Sequence, residues 1–212
     1  MQHRELTRLG IDVRIRRHAR ARRVSMQLSD DSLRVTLPGR APLAAARQLI
    51  DQHLGWIVER RESQQQRDDD ARHELGLTPG HVLLRGRPTS LDDLPKPIEH
   101  HLRELARADI ETALDHRRDV ARRPWNRLTI RDQRTRWGSC STRGTLSFNF
   151  RLIMAPPAVL DYLVVHELSH LDVPNHSRAF WNAVAANCAD YKEHEAWLNR
   201  FGGTLLRWRA PT

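Results

Sequence analysis

Apolar and charged residues alternate at the start of the chain. Ile11, Val13 and Ile15 interleave with Asp12, Arg14 and Arg16, and two further short runs, VSMQL and LRVTL, flank a turn-like SDDS. Period-two alternation sends successive side chains to opposite faces of a strand, so the first third predicts a small antiparallel sheet. After Pro38-Gly39 the period changes. Across residues 41–61, Leu43, Leu49, Ile50, Leu54, Trp56 and Ile57 recur at approximately helical spacing, which predicts an amphipathic helix. The polar run ESQQQRDDDAR has no apolar period and reads as a solvated loop or linker, and HVLLRGRPTSL reads as a short strand ahead of the proline break LPKP.

Helical spacing returns with Ile98, Leu102, Leu105, Ile110 and Leu114, predicting a helix from Ile98 to about Val120 that Pro124 closes off. LTI is a short strand and QRTRWGSCSTRG a loop with two glycines. In LSFNFRL, Leu146, Phe148, Phe150 and Leu152 fall on one face and Ser147, Asn149 and Arg151 on the other, so Asn149 and Arg151 are expected to be available to a polar ligand. Pro156-Pro157 suits a helix start, because proline's missing N–H is not needed there; the helix then runs through AVLDYLVVHELSHL until DVP stops it. Two more helices follow at roughly 177–188 and 192–201, the second ended by Gly202-Gly203. The fold class is α+β: a β-rich region over 1–97, with a small antiparallel sheet and a helix, then a mainly helical region over 98–212, with packing of the two as one unit left open.

The 212 residues suffice to bury a core without disulfide or metal staples. Cys140 and Cys188 are far apart and form no CxxC, which argues against a disulfide framework and against cysteine-based metal binding, and for a reducing compartment. No apolar run reaches membrane-spanning length and the N-terminus lacks a signal peptide's apolar core, so the expected location is cytoplasmic with no membrane partner. The 35 Lys+Arg against 26 Asp+Glu give a net charge of +9, a field that favours anionic partners. Only Lys96 and Lys192 are lysines, an arginine bias that genome composition explains as readily as phosphate recognition. The excess is uneven, with eleven Arg against four acidic residues in positions 1–50, which leaves nucleic acid open as a partner without favouring it.

The chemistry concentrates in VVHELSHLDVPNHSRAFW. His166 and His170, four residues apart on a helix, project from one face, so both imidazoles can reach one zinc ion at ~2.0–2.1 Å while Glu167 faces a water beside it. A catalytic zinc site needs a third protein ligand and an open position. His176 can supply that ligand, because it lies just past the break at Asp172-Val173-Pro174, where the chain can turn back. A lone buried histidine is more often a satisfied core residue, but three at these offsets are poorly explained that way.

Together, WGSC, the NFRL strand, the APP helix start, HELSH and NHSRAFW, in that order, resemble the YgjP-like metallopeptidase family, distantly related to the SprT and WLM groups. Phe150 stands where a tryptophan is common in that family. The resemblance implies a zincin-like fold with the LSFNFRL strand at a sheet edge over the active-site helix and the WGSC loop close by. It also implies His166, His170 and His176 as zinc ligands and Glu167 as catalytic base.

Three functions follow from this constellation. A zinc-dependent peptidase would hydrolyse a peptide lying along the free strand edge. A zinc-dependent phosphoanhydride hydrolase would use the same centre on a nucleoside triphosphate, held by arginines from the set Arg131, Arg134, Arg136, Arg143 and Arg151, whose guanidinium forks suit phosphate oxygens. An SprT-like, nucleic-acid-associated protein would direct the chemistry to partners bound on DNA. The peptidase is favoured, with Arg136, Asn149 and Arg151 as candidate substrate-binding residues. Trp137 and Cys140 read as packing and a turn, and Trp181 with Phe180 as the apolar seal of the helix pair.

Overall fold

The computed structural model describes residues 3–29 and 32–211. The chain forms two compact units, residues 1–69 and 70–212, so the division falls well before the 97/98 boundary that composition proposed. The β-rich segment after residue 70 belongs to the second unit because its hairpin is tied there by backbone hydrogen bonds: Arg85 N–H donates to the Ile153 carbonyl (2.7 Å) and Gly86 N–H to that of Met154 (3.0 Å).

The first unit opens with α1 (His3–Arg8), then β1 (Asp12–His18), β2 (Ser25–Leu28) and β3 (Ser32–Pro38), followed by α2 (Leu43–Gln52) and most of α3 (Leu54–Glu74). The sheet order is β1-β3-β2. β2 and β3 pair antiparallel as expected, but β1 lies parallel to β3, in register from Asp12↔Ser32 to His18↔Pro38. The centre of the SDDS turn, Asp30-Asp31, lies outside the described residues. Leu33, Val35 and Leu37 of β3 are fully buried against Ala46, Ile50 and Ile57, which is the alternation cashed out as one buried sheet face.

The expected single helix over 41–61 is two, interrupted at His53, and the expected loop ESQQQRDDDAR is helical. That stretch contains no glycine or proline, and side chains one turn apart support it: Gln64 donates to Asp68 (3.3 Å) and Gln65 to Asp69 (3.0 Å). A solvated helix needs no apolar stripe when such pairs line it.

The second unit contains the hairpin β4 (His81–Leu84) and β5 (Arg87–Ser90), where one strand was expected, then α4 (Ile98–His116). The connection is the two-residue turn Arg85-Gly86, both at positive φ (49° and 77°), a geometry that matches the twist of a hairpin. A three-stranded sheet follows from β6 (Arg127–Arg131), β7 (Gly138–Cys140) and β8 (Thr145–Asn149), in the order β6-β8-β7. The LSFNFRL strand is therefore central and not an edge. It also ends early: the Asn149 side chain accepts from Arg151 N–H (3.1 Å) and caps a short 3-10 turn, Phe150–Met154.

Three helices complete the unit: α5 (Pro157–Asp172), α6 (Arg178–Asn187) and α7 (Tyr191–Arg207). α5 starts on proline as expected and is buried along most of its length, with Val159, Leu160, Leu163, Val164 and Leu168 in the main core beside Phe148, Phe150, Leu102 and Ile110. Gly202 and Gly203 do not end α7 but lie inside it. A Cβ at Gly202 would come 2.7 Å from Trp137 Nε1, so the glycine admits the indole against the helix. Among the described residues no helix is long and apolar enough to cross a membrane.

Candidate active site

α5 carries HELSH in its last two turns, and the break at Val173-Pro174 turns the chain so that His176 returns to the helix end. Nitrogens of His166, His170 and His176 lie within 4.8 Å of one another, with His166 Nε2 3.2 Å from His176 Nε2. His170 Nδ1 is 3.1 Å from the Val173 carbonyl, which makes this nitrogen the N–H donor of the pair and leaves Nε2 as an acceptor for a metal. The rings are held from behind: Phe180 stacks on His170 (4.3 Å between centroids) and Trp181 on His176 (5.8 Å). The apolar seal thus doubles as the wall that orients the imidazoles.

Electrostatics favour a cation in this cluster. Burial, helped by His170 and His176, pushes the His166 pKa down to about 3, and burial also lowers that of His170. These rings therefore stay neutral near pH 7, with lone pairs available, and His166 Nδ1 is buried without a partner. Glu167 is only 4 % exposed; burial raises its pKa to about 8, and its Oε2 also lacks a partner. Three imidazole nitrogens within reach of one point, beside an orphaned carboxyl, fit the donor set of a catalytic zinc ion.

The cleft in front of the cluster, of about 460 Å³, is lined by Gly138 to Thr142 on one side and by His166, Glu167, His170 and His176 on the other, with Arg123 and Asp172 at one end. β7 is an edge strand in this sheet, and it supplies the cleft wall expected of LSFNFRL. Its outward groups can be read from the ladder. Asn149 N–H donates to the Trp137 carbonyl (2.8 Å) and Ser141 N–H to that of Thr145 (2.9 Å), so the intervening Gly138 and Cys140 turn their N–H and C=O groups away from β8, toward the open side.

Each residue of Trp-Gly-Ser-Cys has its own place. Trp137 packs against Gly202 of α7, Gly138 admits the Glu167 carboxyl, Ser139 pairs with Ser147, and Cys140 lines the cleft. Burial and the Glu167 charge raise the Cys140 pKa to about 11, so the thiol is protonated at neutral pH. An isolated glycine in a strand signals close approach of another group, but QRTRWGSCSTRG reads as a loop and the three-residue strand within it shows no period.

The three candidate substrate-binding residues do not enter the cleft. Asn149 is fully buried and its amide donates to the carbonyls of Gln133 (2.5 Å) and Arg136 (3.2 Å), bracing the segment that leads into β7. Arg151 is also fully buried: it pairs with Asp132 (2.5 Å), donates to the Trp208 carbonyl (2.9 Å) and stands over the Phe150 ring. The expected polar face is buried because the chain leaves β8 at Asn149 for the 3-10 turn, where the 132–136 segment and Trp208 cover Asn149 and Arg151. Arg136 is exposed and its backbone, not its side chain, supports the site. The arginine that does line the cleft is Arg123, whose guanidinium donates to the carbonyls of Leu171 (3.0 Å) and Thr142 (3.3 Å). No periodicity marks it, since tertiary contact alone brings it to the end of α5.

A helix presenting two histidines and a glutamate, a third histidine from the following turn and an edge strand along the cleft define a metallohydrolase-type site. The chain belongs to the YgjP-like family: the model of its metallopeptidase domain matches residues 89–201, just over half the sequence. Its function is accordingly of metallopeptidase type. Among solved structures, the metallopeptidase zymogen of Pyrococcus abyssi abylysin is similar at 24% identity, covering 44% of this chain and 95% of that one, with a TM-score of 0.39. No curated protein matches the chain.

Proposed function

We propose that this protein is a zinc-dependent peptidase in which His166, His170 and His176 hold the metal and Glu167 is the general base. The observation that carries the reading is the course of β7, whose unpaired backbone groups at Gly138 and Cys140 run past the Glu167 carboxyl. An extended peptide can add to that edge through main-chain hydrogen bonds, which would bring a peptide bond to the base. Zinc, when bound, supplies Lewis acidity for the scissile carbonyl and lowers the pKa of a water molecule.

The chain's own residues do the rest. Glu167, ionised beside a cation, accepts the water's proton and returns it to the departing amine. Its burial keeps bulk water from competing for the carboxylate, and Gly138 leaves the space in which it sits. Phe180 and Trp181 hold two of the ligand rings in place. The cleft geometry favours this reading over phosphoanhydride hydrolysis. Of the arginines from 131 to 151, none lines the cleft among the described residues, and a triphosphate would meet Arg123 alone.

The test is substrate profiling of the zinc-loaded protein against a mixed peptide library and nucleoside triphosphates, with Glu167→Gln as control. Peptide cleavage that falls ~10²-fold or more in the control is the expected result, the usual scale for loss of a general base. Nucleotide turnover that depends on Glu167, without peptide cleavage, would overturn it.

A further inference from the structure

The charge of the first unit is segregated in a way that the peptidase site does not use. From residue 13 to 50 there are nine arginines, Arg14, Arg16, Arg17, Arg20, Arg22, Arg23, Arg34, Arg40 and Arg47, against two acidic residues, Asp30 and Asp31, which lie outside the described residues. Register decides where several of these charges point. Arg14 and Arg16 of β1 share a sheet face with Arg34 and Thr36 of β3 and with Gln27 and Ser25 of β2, whereas Val13, Ile15, Leu33, Val35 and Met26 take the other face.

That second face is where the buried Leu33, Val35 and Leu37 pack, so the first is the outward one. Its arginines are exposed, as are Arg20, Arg22 and Arg23 in the loop leaving the same end of the sheet. Among the described residues few of these charges face an acidic partner. Arg14 pairs with Asp12 (2.6 Å), Arg16 donates to the Thr36 hydroxyl (3.2 Å), and Arg17 braces the turn after β3 through the carbonyls of Gly39 (2.9 Å) and Ala41 (2.7 Å).

We propose that this sheet face and the adjoining loop bind the phosphate backbone of nucleic acid. Guanidinium groups repeated along and across strands suit a polymer of phosphates, with Ser25, Gln27 and Thr36 between them as neutral hydrogen-bonding partners. A lipid surface is the poorer match, because the face carries no large apolar side chain to enter a bilayer, and a protein partner would need an apolar centre that the face lacks.

The experiment is fluorescence anisotropy of the full-length protein with a labelled 20-nucleotide single strand and with the corresponding duplex, titrated across a salt series, beside sedimentation with anionic phospholipid vesicles. Two variants probe the face: Arg16→Ala/Arg34→Ala on the strands and Arg22→Glu/Arg23→Glu in the loop, the latter at side chains that hold no hydrogen bond among the described residues. Arg127→Glu/Arg143→Glu, in the second unit, makes the same charge change as the loop variant. Binding should weaken linearly in log–log salt plots, with a slope of about 0.7–0.9 per phosphate contact. Both face variants should lower affinity at least ~10-fold at low salt and flatten the slope, while the control stays within ~3-fold. Equal losses in the control, no binding of either nucleic acid, or vesicle binding alone would each overturn the proposal.

Discussion

Gly138 of the edge strand lies directly against the carboxyl of Glu167: a Cβ built on the glycine would come 2.8 Å from Glu167 Cδ and from its Cγ. Real side chains do not sustain that approach, so either the carboxyl, held on a buried helix, or the edge strand must shift. Gly138→Ala should therefore displace the carboxylate or push β7 outward. The expected result is retained zinc stoichiometry with turnover reduced ~10²-fold, as for loss of the base itself, and a stability cost of about 1–3 kcal/mol from overpacking. Turnover at the wild-type level, measured beside metal content and a urea melt, would show that the close approach has no functional part.

Loss of a histidine should separate metal binding from folding. His176→Ala removes an exposed side chain from the ligand trio while leaving the main core of α4, α5 and the second-unit sheet untouched. The variant should lose zinc by mass spectrometry and keep its far-UV circular dichroism. Full occupancy without His176 would remove it from the ligand set.

The chelated protein should be most stable in mildly acidic solution. Burial holds Glu167 at about 8 against its ordinary 4.5, so from pH 4.5 upward the unfolded chain releases a proton that the fold retains, and stability falls until about pH 8. Burial and the neighbouring His170 and His176 hold His166 at about 3 against 6.5, so below pH 6.5 the unfolded chain gains a proton that the fold refuses, and stability falls toward pH 3. The two slopes oppose each other between pH 4.5 and 6.5, and the lowered His170 adds to the acid limb, so the maximum falls toward the upper end of that range. Urea melts across this range should show it, and Glu167→Gln should flatten the limb from pH 6.5 to 8. An identical alkaline limb in both proteins would count against the buried, protonated carboxyl.

Arg123 should set a preference for acidic side chains. Its guanidinium is fixed at the cleft end by two carbonyls, those of Leu171 and Thr142, and the nearby Asp172 is occupied by the backbone N–H groups of Arg122 (2.9 Å) and Arg123 (3.4 Å). Arg123→Gln should raise KM about 10-fold for peptides with an acidic residue at that end and leave kcat and neutral peptides nearly unchanged, since only uniform binding is lost. Arg123→Lys should recover part of the preference. Equal effects on acidic and neutral peptides would point to a purely structural role.

The parts of this protein that local order determines were legible in the chain. HELSH puts His166 and His170 on one face through the 3.6-residue helix period, Pro156-Pro157 fixes where that helix begins, Pro174 follows closely on its end, and the alternation of LRVTL gives a strand with one buried face. What the sequence could not decide was which strand neighbours which. Period two says that Asn149 and Arg151 oppose Phe148 and Phe150, but only the packing of the 132–136 segment and of Trp208 over them turns expected ligand contacts into a buried brace. The order β6-β8-β7 hands the open edge to Gly138 and Cys140, in a segment too short to show any period. Arg123 reaches the cleft through carbonyls 48 and 19 residues away, a pairing that no local pattern encodes. Local spacing governs which side chains share a face of one element; burial, strand order and long-range hydrogen bonds depend on how elements pack, and here those decided which residues meet the substrate's side of the cleft.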